Sequence, residues 1–270
     1  MNDEQIDGAI ITFFSTSSAV GKTLISINMS SELAREGHSV CLADFDLQFG
    51  DVGNYLHLQP DYTITDLCDA IKNNNHQDLV NMLTTYYYDD VSFQTVLAPK
   101  RLEEAYNLEP ETIIEVVKQL RRQYDYIIVD TTSMFSVLNL ALLDISTIVT
   151  FLGIVDFIPT IKNMKIGNNT LNTLNYDGNK IRLVLNRSDA KTQIKLNDVT
   201  QILGENFYHI LPNDFAAARQ SIVTGIPLVL NDKMGTLAQA LRALVIKYTN
   251  KGHDDIAENS SKSWLSKIFN

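Results

Sequence analysis

Seven short runs of apolar, often β-branched residues recur along the chain: 9–14, 39–43, 93–97, 126–129, 147–152, 181–185 and 207–211. They carry almost no polar alternation, which is the pattern of strands buried on both faces. Between most of them the spacing turns helical. A helix is predicted over 22–36, ending before Gly37, a residue suited to a helix C-terminus. A second is predicted over 111–122, with Pro110 at its first turn. Two more are predicted over 194–203, before Gly204, and over 236–249, after Gly235. Strands alternating with helices imply right-handed crossovers and a mostly parallel sheet, covered by helices on both faces. The expected fold is therefore α/β, a three-layer, doubly wound, mostly parallel sheet. Such sheets bind ligands beyond the carboxyl ends of their strands.

The chain has 270 residues, enough to bury a large core without a staple. No internal linker or repeat divides it, so residues 1–250 are expected to form one domain. From about Asn250 the composition turns polar, and 251–270 is expected to be a linker with a short amphipathic tail. Twenty-two Lys and Arg stand against 32 Asp and Glu, a net charge of −10. That argues against a protein that coats nucleic acid through its general field. Cys41 and Cys68 form neither a CxxC nor a cluster with histidine, and are expected to be small buried hydrophobes. The acidic start, MNDEQIDG, is unlike a signal peptide. The apolar run 145–155 is about half the length of a membrane span and reads as a buried strand. A cytoplasmic protein, attached to a membrane at most at its surface, is expected.

The first strand runs into Ser15-Thr16-Ser17-Ser18-Ala19-Val20-Gly21-Lys22-Thr23, and a helix starts at once. Small residues let backbone N–H groups curl around an anion at a helix N-terminus. In such a loop Lys22 reaches the β- and γ-phosphates of a nucleotide and the Thr23 hydroxyl reaches Mg²⁺. The second strand ends in Ala43-Asp44-Phe45-Asp46, and alternation places Asp44 and Asp46 on one side, facing the phosphate site. Asp130 follows a fully apolar strand at the same edge, where it is expected to hold Mg²⁺ through a water. Asp44 and Asp130 with Thr23 are the candidate metal ligands, and Asp44 or Asp46 the candidate for orienting the attacking water. The alternative for Asp130 is a strand-end cap.

These motifs resemble the deviant Walker A loop of the MinD/ParA family, KGGxGKT, read here as Ser17 to Thr23. The phosphate lysine, Lys22, is kept. Ser17 stands where that family carries a signature lysine that reaches across a nucleotide-sandwich dimer. The resemblance thus implies an ATPase made weak by this replacement, with ATP and Mg²⁺ as cofactors and an ATP-linked homodimer. The segment Asp44-Phe45-Asp46-Leu47-Gln48-Phe49-Gly50-Asp51 is similar to the DxDLQFGD of the CpaE/TadZ branch, which assembles Flp/Tad-type pili. Leu183 to Arg187 resembles the family's VLNR strand end, and Leu211-Pro212-Asn213-Asp214 the branch's LPND run. These imply that Asn186, Arg187, Pro212 and Asn213, with Ser18 to Thr23, bind the nucleotide, Asn186 through adenine. The alternative for Asn186, Pro212 and Asn213 is ordinary loop residues, and for Arg187 a surface salt bridge. An ATPase domain without that branch's receiver-like domain is expected. Its implied partners are proteins of a pilus or secretion assembly.

Trp264, Leu265, Ile268 and Phe269 share one face of a short helix, flanked by Lys262 and Lys267. They resemble the membrane-targeting tail of MinD proteins; the alternatives are a tail folded onto its own domain or a tag for a protein partner. The run Tyr86-Tyr87-Tyr88 is expected to pack at a helix end.

Overall fold

The computed structural model describes residues 7–177, 179–188, 194, 196–231 and 235–249. The expected tail residues Trp264, Leu265, Ile268 and Phe269 lie outside them.

Strand β1 (Ala9–Phe14) leads to helix α1 (Lys22–Arg35), and β2 (Val40–Asp44) to α2 (Val52–Tyr55) and α3 (Ile64–Lys72). A 3-10 turn over His76–Met82 then enters the hairpin β3 (Thr84–Tyr88) and β4 (Val91–Val96). The chain continues through α4 (Leu102–Ala105), α5 (Pro110–Arg121), β5 (Tyr126–Asp130), α6 (Val137–Ile145), β6 (Ile148–Gly153) and α7 (Ile158–Thr173). It closes with β7 (Ile181–Leu185), α8 (Leu196–Leu203), β8 (His209–Ile210), α9 (Phe215–Thr224), α10 (Leu228–Asn231) and α11 (Thr236–Thr249).

The eight strands form one sheet in the order β3-β4-β2-β5-β1-β6-β7-β8, parallel except for the β3–β4 pair. Phe13 and Asp44 both pair with Asp130, so β1, β5 and β2 end nearly level and their following loops meet at one edge.

The apolar runs lack alternation because both sides of each strand are covered. Ile11, Phe13, Leu42 and Ile128 point to one side, into a cluster with α1, α10 and α11. Ile10, Cys41, Ile127 and Val129 point to the other, against α3, α5 and α6. Further along that side, Phe14, Val149, Phe151 and Leu183 meet α7 and α8. Each such fully buried side chain contributes on the order of 1.5–3 kcal/mol. Both cysteines are buried and unpaired, and burial pushes each thiol up to about 12.

The tyrosine run differs from expectation. Tyr86, Tyr87 and Tyr88 lie on β3, the antiparallel edge strand, not at a helix end. Their alternation explains the placement: Tyr86 is buried against Phe93, while Tyr87 faces out. Helices α3 and α7 were not expected. Helix α3 is a short one whose start is fixed by Asp66, whose carboxylate accepts the Thr63 N–H at 2.7 Å and its hydroxyl at 3.2 Å. Helix α7 contains Asn163, Gly167, Asn168, Asn169 and Asn172, poor helix formers whose pattern hides the helix. It forms because Ile161, Met164 and Leu171 bury against the sheet, and Gly167 sits where a Cβ would lie 2.3 Å from Thr16 Cγ2.

Candidate nucleotide site

Helix α1 is preceded by Gly21, which has a φ of 98° and offers no capping side chain. Its first-turn N–H groups therefore face the loop before it. That loop, residues 15–21, carries a second left-handed residue, Ala19, at a φ of 56°. A non-glycine residue there costs on the order of 1–2 kcal/mol.

Lys22 Nζ donates to Ser133 Oγ at 2.8 Å and to Ser15 Oγ at 3.2 Å. Both hydroxyls in turn donate to the Ser17 carbonyl, at 2.9 and 2.8 Å. Burial holds the Lys22 ammonium below its ordinary pKa, against the pull of Asp130 and Asp46. Ser133 is kept in place by buried Asn139, whose amide donates to the Met134 carbonyl at 2.7 Å and to Thr132 Oγ1 at 2.8 Å. Neither Ser133 nor Asn139 was expected from the sequence. Their contribution depends on the turn after β5, which no local spacing announces.

The Thr23 hydroxyl donates to Asp130 Oδ2 at 2.5 Å. Asp130 Oδ1 is buried with no partner. Burial raises the Asp130 carboxyl to about 6; the Thr23 bond and the Lys22 charge oppose this, and the charges of Asp46 and Asp51 add to it. A hydroxyl and a carboxylate oxygen held together, with a second buried oxygen unmatched, fit the hard, oxygen-seeking Mg²⁺ that accompanies a nucleotide. Thr23 and Asp130 are the residues that would hold it. Bound there, the ion would neutralise phosphate charge. Among the described residues no group of three or more His, Cys, Asp or Glu is arranged to hold a metal by itself.

Asp44 and Asp46 part company at the end of β2. Asp44 is buried, and its two oxygens accept the Val52 N–H at 3.0 Å and the Asp46 N–H at 3.2 Å. Its carboxyl is raised well above the ordinary range, first by burial and then by the Asp130 charge. Asp44 thus ties down its own loop. Asp46 is half-buried, with Oδ1 accepting the Phe49 N–H at 3.2 Å.

Beyond β7, Asn186 is 7% exposed and turned onto the phosphate loop, donating through Nδ2 to the Val20 carbonyl at 2.9 Å. Its Oδ1 accepts the Arg187 N–H at 2.9 Å. Arg187 Nη2 donates to the Ala19 carbonyl at 3.1 Å. Pro212 and Asn213 follow β8 at the same edge; Leu211 exchanges backbone bonds with Leu185 and Ser188, which keeps the two strand ends side by side. The loop residues 18–23, Asp44, Asp130, Asn186 and Arg187 therefore converge on one edge of the sheet.

Comparison with known proteins bears on the family and the fold. The family model described as "CobQ/CobB/MinD/ParA nucleotide binding domain" matches residues 11–224. The septum site-determining protein MinD of Bacillus subtilis (strain 168) is 30% identical over 125 residues, 46% of this chain and 44% of that protein. The chain thus aligns with less than half the length of that relative. Among solved structures, a ParA family ATPase from Chlorobium tepidum TLS superposes with a TM-score of 0.81 at 20% identity, covering 88% of this chain and 98% of that one. MinD from Pyrococcus horikoshii OT3, complexed with Mg-ADP, gives a TM-score of 0.75 at 20% identity, covering 95% of this chain and 100% of that one. At 20% identity both likenesses concern the fold.

Proposed function

This chain belongs to the CobQ/CobB/MinD/ParA nucleotide-binding family, and from that premise we propose that it is an ATP-binding, slowly hydrolysing switch protein. The carrying observation is the Thr23–Asp130 pair with its unmatched buried oxygen, one residue from Lys22. In this reading the N–H groups of 18–23 and the Lys22 ammonium receive the phosphates, and Thr23 and Asp130 hold Mg²⁺. Asp46 orients the attacking water, since it is the half-exposed one of the two carboxylates at the end of β2 and just beyond it. Ser17, in place of a second lysine, keeps turnover low.

The switch works as a homodimer across the nucleotide edge. Exposed Phe49, Met134, Phe157 and Phe215, each in the segment following a strand at that edge, support this pairing. Its task is to place or assemble a Flp/Tad-type pilus or secretion machine at the inner face of the membrane. The DFDLQFGD segment supports this, and the Trp264, Leu265, Ile268, Phe269 tail supplies the membrane contact. Among the described residues no helix is long and apolar enough to cross a membrane. A second reading, placement of division or flagellar machinery, is favoured by the match to septum site-determining MinD.

The test is MgATP binding and hydrolysis by the purified protein, with and without anionic vesicles, beside Lys22→Ala. Slow hydrolysis that vesicles raise is expected. Lys22→Ala should weaken MgATP binding by more than about 100-fold, since it removes a charge-assisted contact to phosphate. Equal affinity in the variant overturns the site.

A further inference from the structure

Away from the phosphate loop, where β7 and β8 begin, two cations share one aromatic ring. Arg182 is the second residue of β7 and pairs with Thr150 of β6. Tyr208 precedes β8 and donates its N–H to the Leu183 carbonyl at 2.8 Å. The Arg182 guanidinium carbon lies 4.8 Å from the centroid of the Tyr208 ring, and Lys247 Nζ lies 5.2 Å from it. Tyr208 packs in turn on Tyr248, with 5.7 Å between ring centroids, and the Tyr248 hydroxyl shares a 2.8 Å hydrogen bond with Thr150 Oγ1.

Neither cation is neutralised. Among the described residues no carboxylate forms an ion pair with Arg182 or Lys247, although the chain has 32 Asp and Glu against 22 Lys and Arg. An aromatic face holds a cation in place without cancelling its charge. Lys247 Nζ also donates to the Tyr208 carbonyl at 2.9 Å, which fixes the ammonium and leaves its charge whole. Arg182 Nε is buried and meets no acceptor, so the guanidinium has given up water there without gaining a bond. The last carbonyls of α11 oppose an anion. The Tyr208 hydroxyl answers part of this by donating to the Lys247 carbonyl at 3.1 Å. His209 registers the local field: burial and, after it, the Lys247 charge lower its pKa, against the bond of Nε2 to the Ala240 carbonyl.

We propose that Arg182, Lys247 and Tyr208 form a second anion site, which takes a phosphate-type oxyanion. Arginine brings a planar fork of donors and lysine a separate point charge, a pair suited to a group with several oxygens. The site stands where α11 ends at Thr249 and the chain passes on to the residues proposed to touch the membrane. A lipid headgroup is the source this placement favours. That choice of source rests on the membrane reading above; the anion site itself does not.

Two measurements on the full chain test it. The first is the pKa of His209 by NMR, with inorganic phosphate replacing chloride at constant ionic strength. His209 lies three strands from β1, so phosphate held at Lys22 leaves it little changed. An anion beside Lys247 should raise this pKa by about 0.3 or more. Exposed Lys247→Gln keeps the fold and should abolish the response; a rise that this variant shares counts as none. The second is cosedimentation with vesicles of equal parts phosphatidylglycerol and phosphatidylcholine. Arg182→Gln and Lys247→Gln should each lower binding by about fivefold, the effect of one cation near an anionic bilayer. Lys118→Gln, the same change of charge on the opposite face of the sheet, should lower it by less than about twofold. A response to phosphate alone makes a soluble phosphate the ligand, and a selective loss on vesicles alone makes it the headgroup. If the parent chain binds no vesicles while phosphate moves His209, the membrane reading fails and the site stands. The site is overturned if phosphate leaves His209 unmoved and the vesicles do not tell Arg182→Gln and Lys247→Gln from Lys118→Gln.

Discussion

The loops after β1 and β2 leave level strand ends at one edge of the sheet, yet they are held in opposite ways. The loop after β2 closes on itself: Asp44, its first anchor, accepts the N–H groups of Asp46 and Val52, two and eight residues on. The loop after β1 is held from far away in sequence, by Ser133, Asn186 and Arg187. A self-closed loop keeps its shape wherever its strand goes. An externally held loop keeps its shape only when the whole sheet has assembled, so its competence reports on the completed fold.

Asp130 lies between the two loops, and its ionisation offers the largest handle on the comparison. With its carboxyl raised from 3.8 to about 6, the folded chain holds this proton more tightly than the unfolded chain does. Its contribution is therefore most favourable below about pH 4 and is lost as pH rises through 6, on the order of 3 kcal/mol in all. Urea unfolding of the nucleotide-free protein between pH 4 and 7 should show this loss, and Asp130→Asn should lessen it, the raised carboxyl of buried Asp44 keeping part of the slope; equal pH slopes in the two proteins would contradict it.

Gly50→Ala strikes the self-closed loop. The added Cβ would lie 2.5 Å from Ala98 Cβ and 2.6 Å from Asp44 Oδ2. It should lower unfolding stability by about 2 kcal/mol, in the range of overpacked sites. A denaturant midpoint unchanged from the parent would mean that the Asp44 anchor is looser than its bonds imply.

Ala19→Gly has the smallest effect and the opposite sign. It relieves the left-handed strain at Ala19 but adds backbone freedom in the unfolded chain. A net gain of about 1 kcal/mol is expected in the same unfolding measurement. A loss would place the strain elsewhere in the loop.

The same contrast decides what the sequence made legible. The strands at Ala9–Phe14 and Ile181–Leu185 lie where the apolar runs place them, because burial on two faces leaves an unbroken pattern. Lys22, Thr23 and Asp130 announce themselves because each sits at a fixed step from a strand end. Asn186 was visible as a strand-end asparagine, but its bond to Val20 spans 166 residues and follows only from the place of β7 in the sheet. Ser133 and the antiparallel β3 were hidden for the same reason: pairing across the fold, not local spacing, determines them.

The burial of both thiols has a practical side. With their titration pushed up to about 12, roughly one in 100,000 of either is the reactive thiolate at pH 7. Maleimide dyes will therefore pass over Cys41 and Cys68 in the folded protein. A cysteine introduced at an exposed site such as Phe49 or Met134 can carry a fluorophore at the nucleotide edge without first stripping the native pair.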